Sequence, residues 1–144
     1  MRLFGQIFRK SVMNQENKRK VILIDDNAIL RTVFGYILQG FPDYPIEFHP
    51  FENALDFLES HDISVSPEPA LLFVDISMPL MTGWELMGVL KDKRDFVSQS
   101  EIFIISSSSS QKDQEQLVNY PFVNGFILKP FGKEQLYEIL RTAR

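Results

Sequence analysis

The chain contains no cysteine, which excludes a disulfide framework, a thiolate metal site and a cysteine nucleophile together, and is compatible with a reducing cytoplasm. No apolar stretch approaches the roughly 20 residues needed to span a bilayer. The start, MRLFGQIFRK, places charges on both sides of a very short apolar patch and has no small-residue cleavage signal, so it does not read as a secretory peptide. Histidine is scarce too: His49 and His61 have no partners at metal-ligand spacing and are read as structural. Basic charge is thin beyond the start. Residues 1–20 carry six basic side chains and one acidic, leaving nine basic against eighteen acidic in the remainder. An acidic body argues against nucleic acid as the main partner, because phosphate backbones are bound mostly through Lys and Arg. A cytoplasmic location is the resulting expectation.

What is present is a chain of 144 residues, 44% hydrophobic and 24% charged, the size and balance of one globular domain able to bury a sizeable core. Short continuous apolar runs alternate with stretches of helical spacing. The runs are Val21 to Ile24, Ile46 to Phe51, Leu71 to Val74, Ile102 to Ile105 and Val123 to Leu128. Uninterrupted runs of four to six residues, rich in Ile, Val and Phe, fit parallel strands covered on both faces. Between and after them, helices are predicted at about Ala28 to Gln39, Glu52 to Ser60, Thr82 to Lys91, Asp113 to Asn119 and Lys133 to Ala143. Five strands and five helices in alternation predict an α/β doubly wound parallel sheet, because parallel strands need crossover helices. Asn27 is placed to cap the first helix, with Gly40, Phe41 and Pro42 stopping it. Thr82, with Glu85 three residues on, has the pattern of a capping box.

The ends of the runs carry the chemistry. Asp25 and Asp26 end the first, Asp75 the third, Ser106 the fourth, and Lys129 the fifth. In an open parallel sheet ligands bind beyond the carboxyl ends of the strands, so the topology predicts that all five residues share one edge. Clustered carboxylates repel one another and need a divalent cation to stay ionised side by side. Asp25 and Asp26 alone would more often be a solvated loop or a cap; it is their order with Asp75 and Lys129 that specifies a site. The hydroxyl at the end of the fourth run is ambiguous by one position, since Ser107 follows Ser106 in a serine tract. Met78 and Pro79 read as a turn, with Gly83 supplying a permissive backbone position.

Four blocks, VILIDDN at 21–27, FVDISMPLMTGWE at 73–85, IISS at 104–107 and LKPF at 128–131, resemble in order and spacing the response-regulator receiver domain of two-component signalling. The resemblance covers residues 19–144. It implies the flavodoxin-like strand order 2-1-3-4-5 and makes Asp75 the phosphoacceptor, a carboxylate nucleophile that takes a phosphoryl group from a phosphohistidine. It implies Mg2+ (or Mn2+) as the cofactor, bound by Asp25, Asp26, Asp75 and the Ser77 backbone carbonyl, with Asp25 acting through water. Lys129 then offsets phosphoryl charge, and a cis peptide at Lys129-Pro130 aims it. Ser106 and Phe126 become the switch residues, altering the face formed by the helix at 113–119, the fifth strand and the last helix. Phe126 lacks the tyrosine hydroxyl seen in many relatives, so it retains only the packing half of that switch. Ser77 and Ser108 fall where the family tunes acyl-phosphate lifetime.

The function so implied is a single-domain response regulator that catalyses only its own phosphorylation and dephosphorylation. Its partners would be a histidine kinase or histidine phosphotransfer protein and a separate output protein. A phosphorelay intermediate and a pseudo-receiver scaffold are the alternatives. A phosphatase of the dehalogenase type needs a second Asp two residues after the nucleophile, where Ser77 stands. Residues 1–18 form a basic extension in which Leu3, Phe4, Ile7, Phe8 and Val12 share one helical face. It reads as a disordered segment, a docking helix or an interfacial helix in contact with a membrane.

Overall fold

Each apolar run becomes a strand of one parallel sheet: β1 Arg19–Ile24, β2 Ile46–Phe51, β3 Leu71–Asp75, β4 Glu101–Ser106 and β5 Val123–Leu128. The computed structural model describes residues 18–60, 68–108 and 110–143. The strand order is β2-β1-β3-β4-β5, every pairing parallel, as the resemblance implied. Pro50 has no N–H to give a ladder, and it stands on β2, an edge of the sheet, where that donor is not needed on both sides.

The period of two within each strand sorts side chains onto two cores. Ile22, Ile24, Leu72, Val74, Ile102 and Ile104 face one layer, with Val21, Leu23, Leu71, Phe73, Ile105 and Ile127 in the other. The first layer is covered by α2 Ala54–Ser60, α3 Gly83–Leu90 and α4 Arg94–Gln99, through Phe57, Leu86, Met87, Leu90 and Phe96. The second is covered by α1 Ala28–Gln39 and α6 Lys133–Thr142, through Phe34, Leu38, Leu136, Tyr137 and Leu140. Each fully buried Leu, Ile or Phe side chain stabilises the fold by about 1.5–3 kcal/mol, and both faces of the central strands are used this way. α5 Gln111–Gln116 continues into a 3-10 turn, Leu117–Asn119, and buries none of its residues completely.

The caps form as the sequence indicates. The Asn27 side chain accepts from the Leu30 N–H, and Thr82 and Glu85 make both bonds of the capping box. Two features correct the sequence reading. The chain has a sixth helix, α4, where five were expected: its six residues are too few to display a period, its N-terminal residue Lys93 makes no side-chain cap, and Phe96 alone is buried. Gly83, expected to supply conformational freedom, has no positive φ; the left-handed residue of that loop is Leu80, at φ 72°. Gly83 is required for space. A Cβ there would lie 2.7 Å from the Asp75 carbonyl oxygen and 2.9 Å from the Ile76 Cα, while the Gly83 N–H donates to the Ile76 carbonyl at 2.8 Å. The start of α3 is thereby pressed against the backbone of Asp75.

The reading of residues 1–18 as an amphipathic or disordered extension lies outside the described residues except at Lys18, and that of His61 lies outside them altogether. His49 pairs with Glu47 at 2.9 Å on the surface of β2, consistent with a structural role.

Gly83→Ala meets backbone atoms that cannot rotate away. It is expected to lower unfolding free energy by about 1–3 kcal/mol, read as a fall in the urea midpoint at unchanged slope; an unaltered midpoint would show that α3 does not need this close approach.

Candidate functional site

Residue by residue, the strand ends deliver what the loops display. β1 and β3 are adjacent, with Ile24 opposite Val74, so Asp25 and Asp75 emerge side by side. Asp26 follows on the exposed side of the loop. Oxygens of Asp25, Asp26 and Asp75 lie within 4.8 Å of one another. Across the sheet, Ser106 pairs with Leu128, and the Lys129 N–H donates to the Ser106 carbonyl at 2.8 Å. The Lys129-Pro130 peptide is cis. The Lys129 ammonium stands 2.8 Å from Asp25 Oδ2 and 3.5 Å from Asp75 Oδ2.

Asp25 is fully buried and held from three sides. Its Oδ1 accepts from the Asn27 N–H at 2.9 Å, its backbone carbonyl from Arg31 Nη1 at 2.7 Å, and its N–H donates to the Phe51 carbonyl on β2. Arg31 was not anticipated. It sits one helical turn after Asn27 on α1 and pins the loop from above, and its only sequence signal is its spacing of six from Asp25. Asp25 Oδ2 is the exception in this arrangement: it is buried with no well-aligned hydrogen-bond donor, the Lys129 ammonium meeting it as an ion pair. A buried oxygen of that kind costs desolvation energy that a single cation off its hydrogen-bond axis only partly returns.

Electrostatics set the protonation states. Burial pushes Asp75 up to about 6, with the neighbouring Asp25 charge adding to the rise and Lys129 and the Ser77 N–H opposing it. The Ser77 N–H reaches Asp75 Oδ1 at 3.3 Å. Burial works against the Lys129 charge, but the close ion pair with Asp25 and the charge of Asp75 outweigh it and hold Lys129 above its ordinary value. Three carboxylates facing one ammonium leave the cluster with a formal excess of two negative charges.

A divalent cation fits these residues. All the donors are hard oxygens, the set favoured by magnesium and manganese, and the under-satisfied Asp25 Oδ2 belongs to it. No other group of three potential ligands occurs among the described residues.

The hydroxyl residues separate clearly. Ser106 is buried at the end of β4 and Ser107 is exposed, so it is Ser106 that lies on the sheet edge. Its Oγ donates to the Ser108 carbonyl at 2.9 Å and accepts from the Ser108 N–H at 3.1 Å. Phe126, on β5 opposite Ile104, is partly buried and packs against the α2–α4 core.

Residues 21–141 match the response regulator receiver domain family. The chain is 30% identical over 135 residues to the protein-glutamate methylesterase/protein-glutamine glutaminase of Treponema pallidum, covering 90% of this chain and 30% of that protein, so it spans less than a third of that relative. It is 25% identical over 122 residues to the chemotaxis protein CheY of Halobacterium salinarum, covering 85% of this chain and 93% of that one. In fold it resembles the crystal structure of Vibrio cholerae CheY4, with a TM-score of 0.67 at 21% identity over 88% of this chain and 99% of that chain.

The raised Asp75 pKa has a signed consequence. As pH rises from about 4 to 6 the unfolded chain releases this proton while the folded one keeps it, so stability falls through that window and the loss is complete above about 6. In chelator-treated protein, Asp75→Asn is therefore expected to raise the urea midpoint at pH 7 and to raise it much less at about pH 4.5. Equal gains at both pH values would remove the shift.

Proposed function

Because the chain belongs to the response regulator receiver domain family, we propose that it is a phosphoacceptor switch in which Asp75 takes a phosphoryl group from a phosphohistidine. The observation that carries this reading is the placement of Lys129 between Asp25 and Asp75, at 2.8 and 3.5 Å, beside an acidic cluster whose oxygens lie within 4.8 Å. An ionised Asp75 oxygen attacks phosphorus, forming the acyl-phosphate O–P bond as the N–P bond to the donor imidazole breaks and the electron pair leaves with that nitrogen. No general base is needed, since the nucleophile is the ionised form of the carboxylate and has no proton to give up.

Asp25, Asp26 and Asp75 are the side chains that would hold Mg2+ or Mn2+, with the Ser77 carbonyl beside them. When bound, such a cation supplies neutralisation of the phosphoryl oxygens. Lys129, kept charged by its carboxylate neighbours, faces the incoming negative charge from the β5 side. Asp25, anchored by Asn27, Arg31 and Phe51, keeps the first strand's carboxylate from drifting as charge arrives. Ser106 is the hydroxyl that engages the phosphoryl group, and Phe126 the side chain whose packing responds, altering the face of α5, β5 and α6. Phosphorylation in this reading biases two conformations by the difference in their contacts to the phosphoryl group. A histidine kinase or phosphotransfer protein is the donor and a protein recognising that face is the output, in the cytoplasm. A scaffold without chemistry has no use for buried carboxylates opposed by one lysine.

With acetyl phosphate and magnesium, mass spectrometry is expected to find one phosphoryl group on wild-type protein and none on Asp75→Asn. Labelling that survives the substitution would move the acceptor elsewhere. Lys129→Ala is expected to bind magnesium still, followed calorimetrically, yet to lose most of its conformational response; a full response would take the lysine out of the mechanism.

A further inference from the structure

The loop after β4 does more than carry Ser106. Ser106 Oγ is engaged with both backbone groups of Ser108. Ser108 Oγ accepts from the Ser110 N–H at 3.2 Å. Ser110 Oγ caps α5, accepting from the Asp113 N–H at 3.2 Å and donating to Asp113 Oδ2 at 2.8 Å. Asp113 Oδ1 accepts from the indole N–H of Trp84 at 3.2 Å. Trp84, the single tryptophan, lies on α3, directly after the Gly83 that abuts the Asp75 backbone, and its ring stacks on Tyr120 at 6.0 Å and 12°. A continuous hydrogen-bonded chain therefore runs from the sheet edge through α5 to α3, and the stack closes it behind the 3-10 turn.

We infer that Trp84 and Asp113 are positioning residues for Ser106: they hold the loop after β4 in the arrangement that keeps the Ser106 hydroxyl bonded to Ser108, and Ser106 reaches a phosphoryl group only as the Trp84–Asp113 bond opens. This rests on the reading of Asp75 as phosphoacceptor and Ser106 as its hydroxyl partner. The reason is donor arithmetic. A serine hydroxyl has one proton. Donated to a phosphoryl oxygen, it is withdrawn from the Ser108 carbonyl, and the Ser106 oxygen, turning toward the site, draws Ser108 along through the N–H it still accepts. Ser110, bonded to Ser108, moves with it and carries the cap of α5. Asp113 is tied to Ser110 on one oxygen and to Trp84 on the other, so the strain falls on the indole bond, which links α5 to a helix held fast against the sheet. Little else resists, because α5 buries none of its residues completely. Trp84 is thus both clamp and reporter.

The test uses full-length protein with magnesium and beryllofluoride as the phosphoryl probe, and occupancy of the site is measured separately by the 19F resonance of the bound probe. On saturation, the emission of Trp84 in wild type is expected to shift to the red as its N–H exchanges Asp113 for water, and Asp113→Ala with magnesium alone is expected to emit already at the shifted position. Trp84→Phe keeps a ring on Tyr120 but loses the donor. It is expected to bind beryllofluoride about fivefold more tightly, the worth of one net hydrogen bond. Bound 19F signal with unmoved wild-type emission would overturn the clamp while leaving the phosphoacceptor intact, as would equal affinity in Trp84→Phe. Absence of bound signal in wild type would remove the phosphoacceptor reading and the clamp with it.

Discussion

The ion pair from Lys129 to Asp25 and Asp75 is the constraint around which the rest of this molecule is arranged. Two buried carboxylates on neighbouring strands repel one another, and burial together with the Asp25 charge raises Asp75. One ammonium makes their coexistence tolerable without making it comfortable. β3 and β5 are separated by β4, so two strand spacings of about 4.8 Å lie between the backbone of the lysine and that of Asp75, and a third reaches Asp25. A long side chain can cross that gap only if the end of β4 is small. Ser106 meets that requirement, and its carbonyl holds the Lys129 N–H in place.

The surrounding structure differs in stiffness from one side of the site to the other. Asp25 is fixed by Asn27, Arg31 and the edge strand, and the backbone of Asp75 is abutted by α3 through Gly83. The β4 side is held instead by a run of serine hydroxyls and one half-buried aspartate. The first set is anchored to backbone on buried strands, while hydroxyl bonds near solvent are each worth about a kilocalorie and exchange readily with water. Backbone-anchored carboxylates thus stand beside a loop held by hydroxyl bonds, so the two sides of the site are secured by different kinds of contact. Leu80, in the left-handed region and exposed, shows that the loop after Asp75 also tolerates backbone strain, a cost of about 1–2 kcal/mol for a residue with a Cβ.

Much of this was readable in the chain. Strands covered on both faces must be continuously apolar, and VILI, LLFV and IFII could hardly be anything else, so their terminal residues Asp25, Asp75 and Ser106 could be assigned to one edge. The residues that escaped notice share a property: their roles depend on packing across the sequence. Nothing in the local pattern distinguishes Arg31 from any solvated helix arginine, or Phe96 from a loop phenylalanine. Gly83 looked like a flexible turn position, and only the approach of α3 to the Asp75 carbonyl makes it a matter of space.

The sequence by itself determined the strand ladder, the caps at Asn27 and Thr82, and the convergence of acidic residues with a lysine, because those follow from period, propensity and order along the chain. Tertiary structure alone decided that Ser106 rather than Ser107 is buried at the edge, that Lys129 leans closer to Asp25 than to Asp75, and that Trp84 bonds Asp113 twenty-nine positions away. Burial and hydrogen-bond partners belong to the space between elements, and that space exists only once both helical layers have closed on the sheet.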